Sequence, residues 1–217
     1  MVAPGPTTLR LVADEETSKR RQILDGARNV FMDLGFDGAS MGEIARSAGV
    51  SKGTLYVYFA DKNRLFEAIV EQEMLDQQKV AFNFDPERDV ATTLRDFGQT
   101  YIQWLCRPGG GSAIRTVTAI AERMPEVGRR FYEQVLESRI NRLADHLEAH
   151  VKAKELAIDD CKLAAEQFML TCQASLFLPF IFQAAPAPSA GRIAQVVESA
   201  TRMFLAGYRA KAGRLLI

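Results

Sequence analysis

The sequence predicts an all-α chain of about nine helices, and three observations carry that prediction. Apolar residues recur at intervals of three and four in one segment after another. Ser and Asp residues precede those segments and Gly or Pro follows them, where helix caps and stops belong. No stretch alternates apolar and polar side chains long enough for a sheet, and there is no internal repeat or low-complexity tract.

Residues 1–16 carry two early prolines, a glycine and mixed charge without periodicity, and read as a mobile arm. The first helix starts near Thr17, with Ile23, Ala27, Val30, Phe31 and Leu34 on one face, and Gly35 is its expected left-handed stop with Phe36 as the apolar contact beyond. Ser40 to Glu43 reads as a capping box opening a short helix with Ile44, Ala45 and Ala48 inward. Gly49 supplies a turn, Ser51 caps a third helix, and Asp61 caps a fourth that runs towards Phe82. Asp85-Pro86 is expected to open the next helix, whose stripe is Val90, Leu94, Phe97, Tyr101 and Leu105, with a flexible loop at 108–111 after it. A helix from about Ala113 to Arg123 stops before Pro125. A long one follows with Val127, Phe131, Val135, Ile140, Leu143, Leu147 and Val151 on one side. Asp160 caps a helix to about Phe182, Pro186 and Pro188 break the chain, and the last helix presents Ile193, Val196, Val197, Ala200, Met203 and Phe204.

Composition excludes several classes. Lys+Arg and Asp+Glu balance at 27 each, so net charge advertises no partner, although residues 17–62 hold 7 basic and 5 acidic side chains. The 3 cysteines, Cys106, Cys161 and Cys172, lack CxxC spacing, which argues against a disulfide framework or zinc site and fits a reducing compartment. The N-terminal segment lacks the pattern of a signal peptide, and the most apolar run, 174–182, is too short to span a bilayer. A soluble, cytoplasmic chain is expected. His146-x-Glu148-x-His150 places two histidines on one helix face without the HExxH order, so they are expected to be exposed and no metal or other cofactor is assigned. No Walker loop, GxGxxG or GxSxG elbow occurs, and no catalytic residue is assigned.

The segment Ser40 to Lys62, SMGEIARSAGVSKGTLYVYFADK, contains two short capped helices around a glycine turn, as a helix-turn-helix requires. The second helix opens with a hydroxyl, a cation, a bare glycine and another hydroxyl, groups that approach base edges and phosphates closely. Leu55 and Phe59 face inward, leaving Tyr56 and Tyr58 to offer phenolic hydroxyls to phosphates.

The run Ile23 to Lys62 resembles the DNA-binding domain of TetR-family repressors. The resemblance lies in Ala27 with Phe31, Gly35-Phe36, the Ser40 cap, Ile44-Ala45, Ala48-Gly49-Val50-Ser51, Gly53-Thr54-Leu55-Tyr56, Tyr58-Phe59 and Lys62. Tyr58 departs from the histidine common at that position. The resemblance implies a helix-turn-helix domain at 17–64 and a ligand-binding and dimerisation domain at 65–217. Residues 122–155 and 162–168 look like a recurrent subtype of the latter. It implies base contacts from Ser51, Lys52, Gly53 and Thr54, and phosphate contacts from Ser40, Gly42, Tyr56, Tyr58 and Lys62. It further implies a homodimer through the last two helices that binds a palindromic double-stranded operator. A small hydrophobic or amphipathic effector is expected in a pocket lined by Trp104, Ile120, Met124, Phe131, Phe168, Cys172, Leu176 and Phe180, with Arg115, Thr118, Glu122 or Gln173 as polar groups. Three alternatives stay open: an apolar stripe on the last helix that packs only within one chain, a redox sensor at Cys161 or Cys172, and a structural dimer that no longer binds DNA.

Overall fold

A computed structural model describes residues 6–78, 82, 84, 88–107 and 110–210, with side chains described for all of these except 6–15, 73–74, 76–78 and 110–113. The fold is all-α: among the described residues the backbone forms ten α-helices and one π-helical turn, and the only extended pairing is an isolated bridge between Leu156 and Arg209. The chain divides into two compact units, 1–76 with 116–127, and 77–115 with 128–217. No helix among the described residues is long and apolar enough to cross a membrane.

In the first unit, α1 (Pro6–Gly38) starts well before the expected Thr17. Pro6 suits a first helical turn, and residues 7–25 contain no glycine or proline to stop the backbone, so much of the expected arm is helical. Gly35 interrupts α1 at φ 69 and ψ 175, and the chain resumes helical geometry to Gly38 instead of stopping. This break folds Phe36 back into a trio with Phe31 and Phe66, their ring centroids 5.4–5.6 Å apart. Phe36 therefore closes that end of the core, and Leu34, expected inside, is exposed.

The next elements are α2 (Met41–Ser47), α3 (Lys52–Tyr58) and α4 (Lys62–Gln78). Ile23, Ala27, Ile44, Ala45, Ala48, Leu55, Phe59 and Leu65 are all buried, as their spacing predicts. Gly26 lets α1 approach the end of α2: a Cβ there would lie 2.6 Å from the Ala48 Cα and N.

In the second unit, α5 (Val90–Leu105) carries its five-residue stripe inward, capped by Asp89, whose side chain accepts from the Thr92 amide. The expected start at Asp85-Pro86 lies outside the described residues. α6 (Gly110–Ile120) begins inside the expected loop and ends at Ile120, before Arg123. α7 (Pro125–Phe131) passes through a π-helical turn (Tyr132–Glu137) into α8 (Ser138–Lys152). The expected long helix is thus continuous but widened in its middle. Its apolar positions step by four from Val127 through Phe131 to Val135, then by five to Ile140, and the π turn absorbs the extra residue.

α9 (Cys161–Ile181) and α10 (Ala190–Tyr208) follow, capped by Asp160 and Ser189. α9 packs on α8, and α10 packs on α5 and α9. Gly98 of α5 makes the α10 contact close, since a Cβ there would meet Val197 Cγ1 at 2.7 Å. The expected α10 stripe splits: Ile193, Val197, Ala200 and Phe204 are buried within the chain, whereas Met203 is 64% exposed.

His146 and His150, expected on the surface, are both buried. Their Nε2 atoms lie 3.2 Å apart, and His150 Nδ1 is 2.8 Å from Glu155 Oε2, so the pair satisfies itself inside the fold. No group of three or more metal-ligating side chains occurs among the described residues.

Candidate nucleic-acid interface

The interface is built from two helix starts and one turn. Ser40 caps α2 by accepting from the Glu43 amide at 3.2 Å, while the Glu43 carboxylate accepts from the Ser40 amide at 3.0 Å and from its hydroxyl at 2.7 Å. Those hydrogen bonds from Ser40 hold the Glu43 carboxyl below its usual pKa. Gly49 then turns the chain at φ 63, a backbone conformation that favours glycine. The turn is tied to α1 by Gln22, whose amide donates to the Ala48 carbonyl at 2.7 Å.

Ser51 caps α3, its hydroxyl accepting from the Thr54 amide at 3.0 Å and lying 2.9 Å from the Thr54 hydroxyl. The two expected base-contacting hydroxyls are thus hydrogen-bonded to each other, a bond that uses the O–H of only one of them. Lys52 and Gly53 are exposed. Lys52 lies across the start of α2: a Cβ on Gly42 would be 2.9 Å from Lys52 Cε and 3.2 Å from its Nζ. Gly42 therefore makes room for the ammonium at the start of α2, and a cation there attracts a phosphate.

On the outer face of α3, Tyr56 is 53% exposed and Tyr58 half-buried. Val57 between them is 83% exposed, a position the sequence reading passed over. The signal was available: with Leu55 and Phe59 inward, the residue midway between them on a short helix points away from the core. An exposed β-branched side chain there is suited to a thymine methyl group.

Lys62 is engaged within the domain. Its ammonium donates to the carbonyls of Phe36 at 2.6 Å and Ala39 at 3.0 Å and stands 4.5 Å from the Phe36 ring centroid. These bonds tie the start of α4 to the end of α1. The α4 start is completed by Asp61, whose carboxylate accepts from the Arg64 amide at 2.8 Å.

Of the expected effector contacts, Trp104, Phe131, Phe168, Cys172 and Leu176 are buried in the second unit and Phe180 is half-buried there. Ile120 (buried) and Met124 (half-buried) belong to the first unit. Two cavities described in the structure, of about 590 and 340 Å³, are lined by other residues. Thr118 and Glu122 are exposed, Arg115 donates to the Ile181 carbonyl at 2.8 Å, and Gln173 donates to the Tyr101 hydroxyl at 2.6 Å.

Comparison with known proteins agrees with this geometry. Residues 23–69 match the family described as bacterial regulatory proteins, tetR family, and residues 92–210 match the AefR-like transcriptional repressor C-terminal domain. The A-factor receptor protein of Streptomyces griseus is 38% identical over 81 residues, 37% of this chain and 28% of that protein. The HTH-type transcriptional regulator UidR of Escherichia coli is 40% identical over 70 residues, 32% of this chain and 34% of its own. The chain thus spans about a third of the length of these curated relatives. Among solved structures, a TetR-family regulator from Mesorhizobium loti superposes with TM-score 0.76 at 26% identity, covering 89% of this chain and 98% of that one. The flavonoid-responsive regulator FrrA superposes with TM-score 0.72 at 30% identity, covering 90% and 100%. A capped helix-turn-helix in the first 70 residues and a family match across most of the remainder place this chain in the TetR family of DNA-binding transcriptional regulators, which are not enzymes.

Proposed function

We propose that the chain is an effector-released repressor that grips a palindromic operator as a homodimer. The observation that carries this reading is the exposed surface made by Lys52 over Gly42, Tyr56 and Val57, held in place by two satisfied helix caps. Lys52 and the α2 start fix the domain on phosphates, Tyr56 adds a phosphate contact, and Gly53 and Val57 meet base edges.

Dimerisation runs through α9 and α10. Leu163 and Leu170 of α9 are exposed two helical turns apart, Leu178 is exposed beyond the break at Ala174, and Met203 is exposed on α10. Two copies would bury these against each other and present two recognition helices to half-sites one turn or more apart. The relatives' names, a receptor for A-factor and a flavonoid-responsive regulator, support a small hydrophobic or amphipathic effector here. Its binding would act through α4, which leads from the helix-turn-helix to the second unit's first residues, by favouring a state whose recognition helices no longer match the operator.

The test is retention of the gene's own upstream intergenic DNA at two salt concentrations, beside Lys52→Ala. Specific retention that weakens with salt and in the variant is expected. If neither that DNA nor a genome-wide fragment selection yields a preferred sequence, the repressor reading falls.

A further inference from the structure

Four polar side chains of the second unit, from α5, α8 and α9, lie together. Tyr101 of α5 is buried, and its oxygen accepts from Gln173 of α9 at 2.6 Å, which leaves its own O–H to donate. Trp104, one turn further along α5, is 7% exposed and its indole N–H has no hydrogen-bond partner. Arg139 of α8 is 4% exposed and lies 4.0 Å from the centroid of the Trp104 ring. Arg107 stands 5.0 Å from the same ring, and the positive charges of Arg107 and Arg142 add to the lowering of the Arg139 pKa. Burial lowers the Arg139 pKa to about 10, so the guanidinium keeps its charge at neutral pH. The Trp104 N–H, the Tyr101 O–H and the Arg139 guanidinium thus bring two neutral donors and a cation together among aromatic faces.

Two irregularities of helical geometry adjoin this cluster. The π-helical turn Tyr132–Glu137 ends two residues before Arg139, whose guanidinium donates to the Val135 carbonyl within it. α9 leaves helical geometry at Ala174, the residue after Gln173. π turns of this kind gather at functional sites because they aim side chains that a regular helix would not.

We propose that Tyr101, Trp104 and Arg139 form the recognition site for the effector, and that the effector is an aromatic oxyanion, a ring bearing a carboxylate or phenolate. The inference rests on the effector-released reading above. The ring stacks among Trp104 and its neighbours, the oxyanion takes the indole N–H and the Tyr101 O–H, and Arg139 supplies the countercharge.

The full chain contains 1 tryptophan, so selectively excited indole fluorescence reports on this site. Benzoate should give a saturable change and bind about tenfold or more tightly than its neutral isostere benzamide, the scale of one charge-assisted hydrogen bond. Arg139→Gln should erase that preference, and Tyr101→Phe should weaken benzoate several-fold, with circular dichroism checking the fold of each. 4-Nitrophenol, ionised at mildly alkaline pH, tests the phenolate; its binding without benzoate would narrow the class to phenolates. Equal affinity for benzoate and benzamide in the unaltered protein, or no binding of any of these probes, overturns the site. Selective binding that leaves an operator complex intact at saturation would show an oxyanion site that is not the effector's. Release of DNA by other compounds without these probes binding would sink this site and leave the effector reading standing.

Discussion

Lys52 and Lys62 are ten residues apart in one small domain, and their ammonium groups end in different surroundings. Lys52 is exposed over Gly42, whereas Lys62 is held by two carbonyls and an aromatic face. Lys62→Met should therefore lower stability by about 1–2 kcal/mol, since the carbonyls of Phe36 and Ala39 lose a charged donor. Urea denaturation measures this, and an unchanged midpoint would return Lys62 to the phosphate contacts. Lys52→Ala should leave the midpoint alone, weaken binding evenly across DNA sequences, and reduce the salt slope by about one. Val57→Ala should relax preference at one thymine by about 1 kcal/mol, read by binding-site selection. The lysine code was legible in the sequence, but its destination was not. A residue name fixes the charge, and only the Gly35 break, which brings the Phe36 and Ala39 carbonyls under Lys62, decides where that charge goes.

At the scale of elements, what could be read in advance is what local chemistry determines. The caps at Ser40, Ser51, Asp61 and Asp160 bond amides three residues ahead, so a window of a few residues contains the whole cause. The burial of His146 and His150 was not readable this way, because their partners are each other and Glu155 in a helix that its neighbours cover. The π turn lies between these cases: the five-residue step from Val135 to Ile140 was in the sequence, but a stripe counted only for apolar residues hides it. Gly26 is a further signal of this kind, three residues after Ile23 and four before Val30 on the buried face of α1. Alanine is the better helix former by about 1 kcal/mol. Gly26→Ala should nonetheless destabilise by about 1–3 kcal/mol, because its methyl would meet Ala48 backbone atoms 2.6 Å away that cannot swing aside. A rise in the unfolding midpoint would mean that α1 and α2 separate more easily than this contact implies.

For the molecule as a whole, burial of the thiols bears on the redox alternative and on alkaline stability. Burial pushes Cys106 up to about 11 and Cys172 up to about 12 from the usual 9.0, and Cys161 is also raised, first by burial and then by Glu148 and Asp160. Thiolates attack peroxide and thiols do not, so mild peroxide should leave DNA retention unchanged; loss restored by a thiol reductant would revive the sensor. The same shifts set a sign for stability. Between the ordinary thiol pKa and about 11–12 the unfolded chain releases protons that the folded chain keeps at Cys106 and Cys172, so stability is intact below about pH 9 and falls as pH rises through that window. Cys172→Ala should flatten part of that fall, whatever it costs at neutral pH. The assembly has its own test in the exposed leucines of α9. Leu163, Leu170 and Leu178 are 48%, 63% and 58% exposed in the single chain, a row that water covers unless a second copy does. Leu170→Glu with Leu178→Glu places two charges on that row without touching the buried side, so each chain should keep its helicity and its unit cores. Sedimentation should then find dimers of the unaltered protein and monomers of the variant. Operator affinity should fall steeply, because two half-sites are no longer held by one body. If the double variant still sediments as a dimer, the second copy meets the chain elsewhere, and the row on α9 needs another partner.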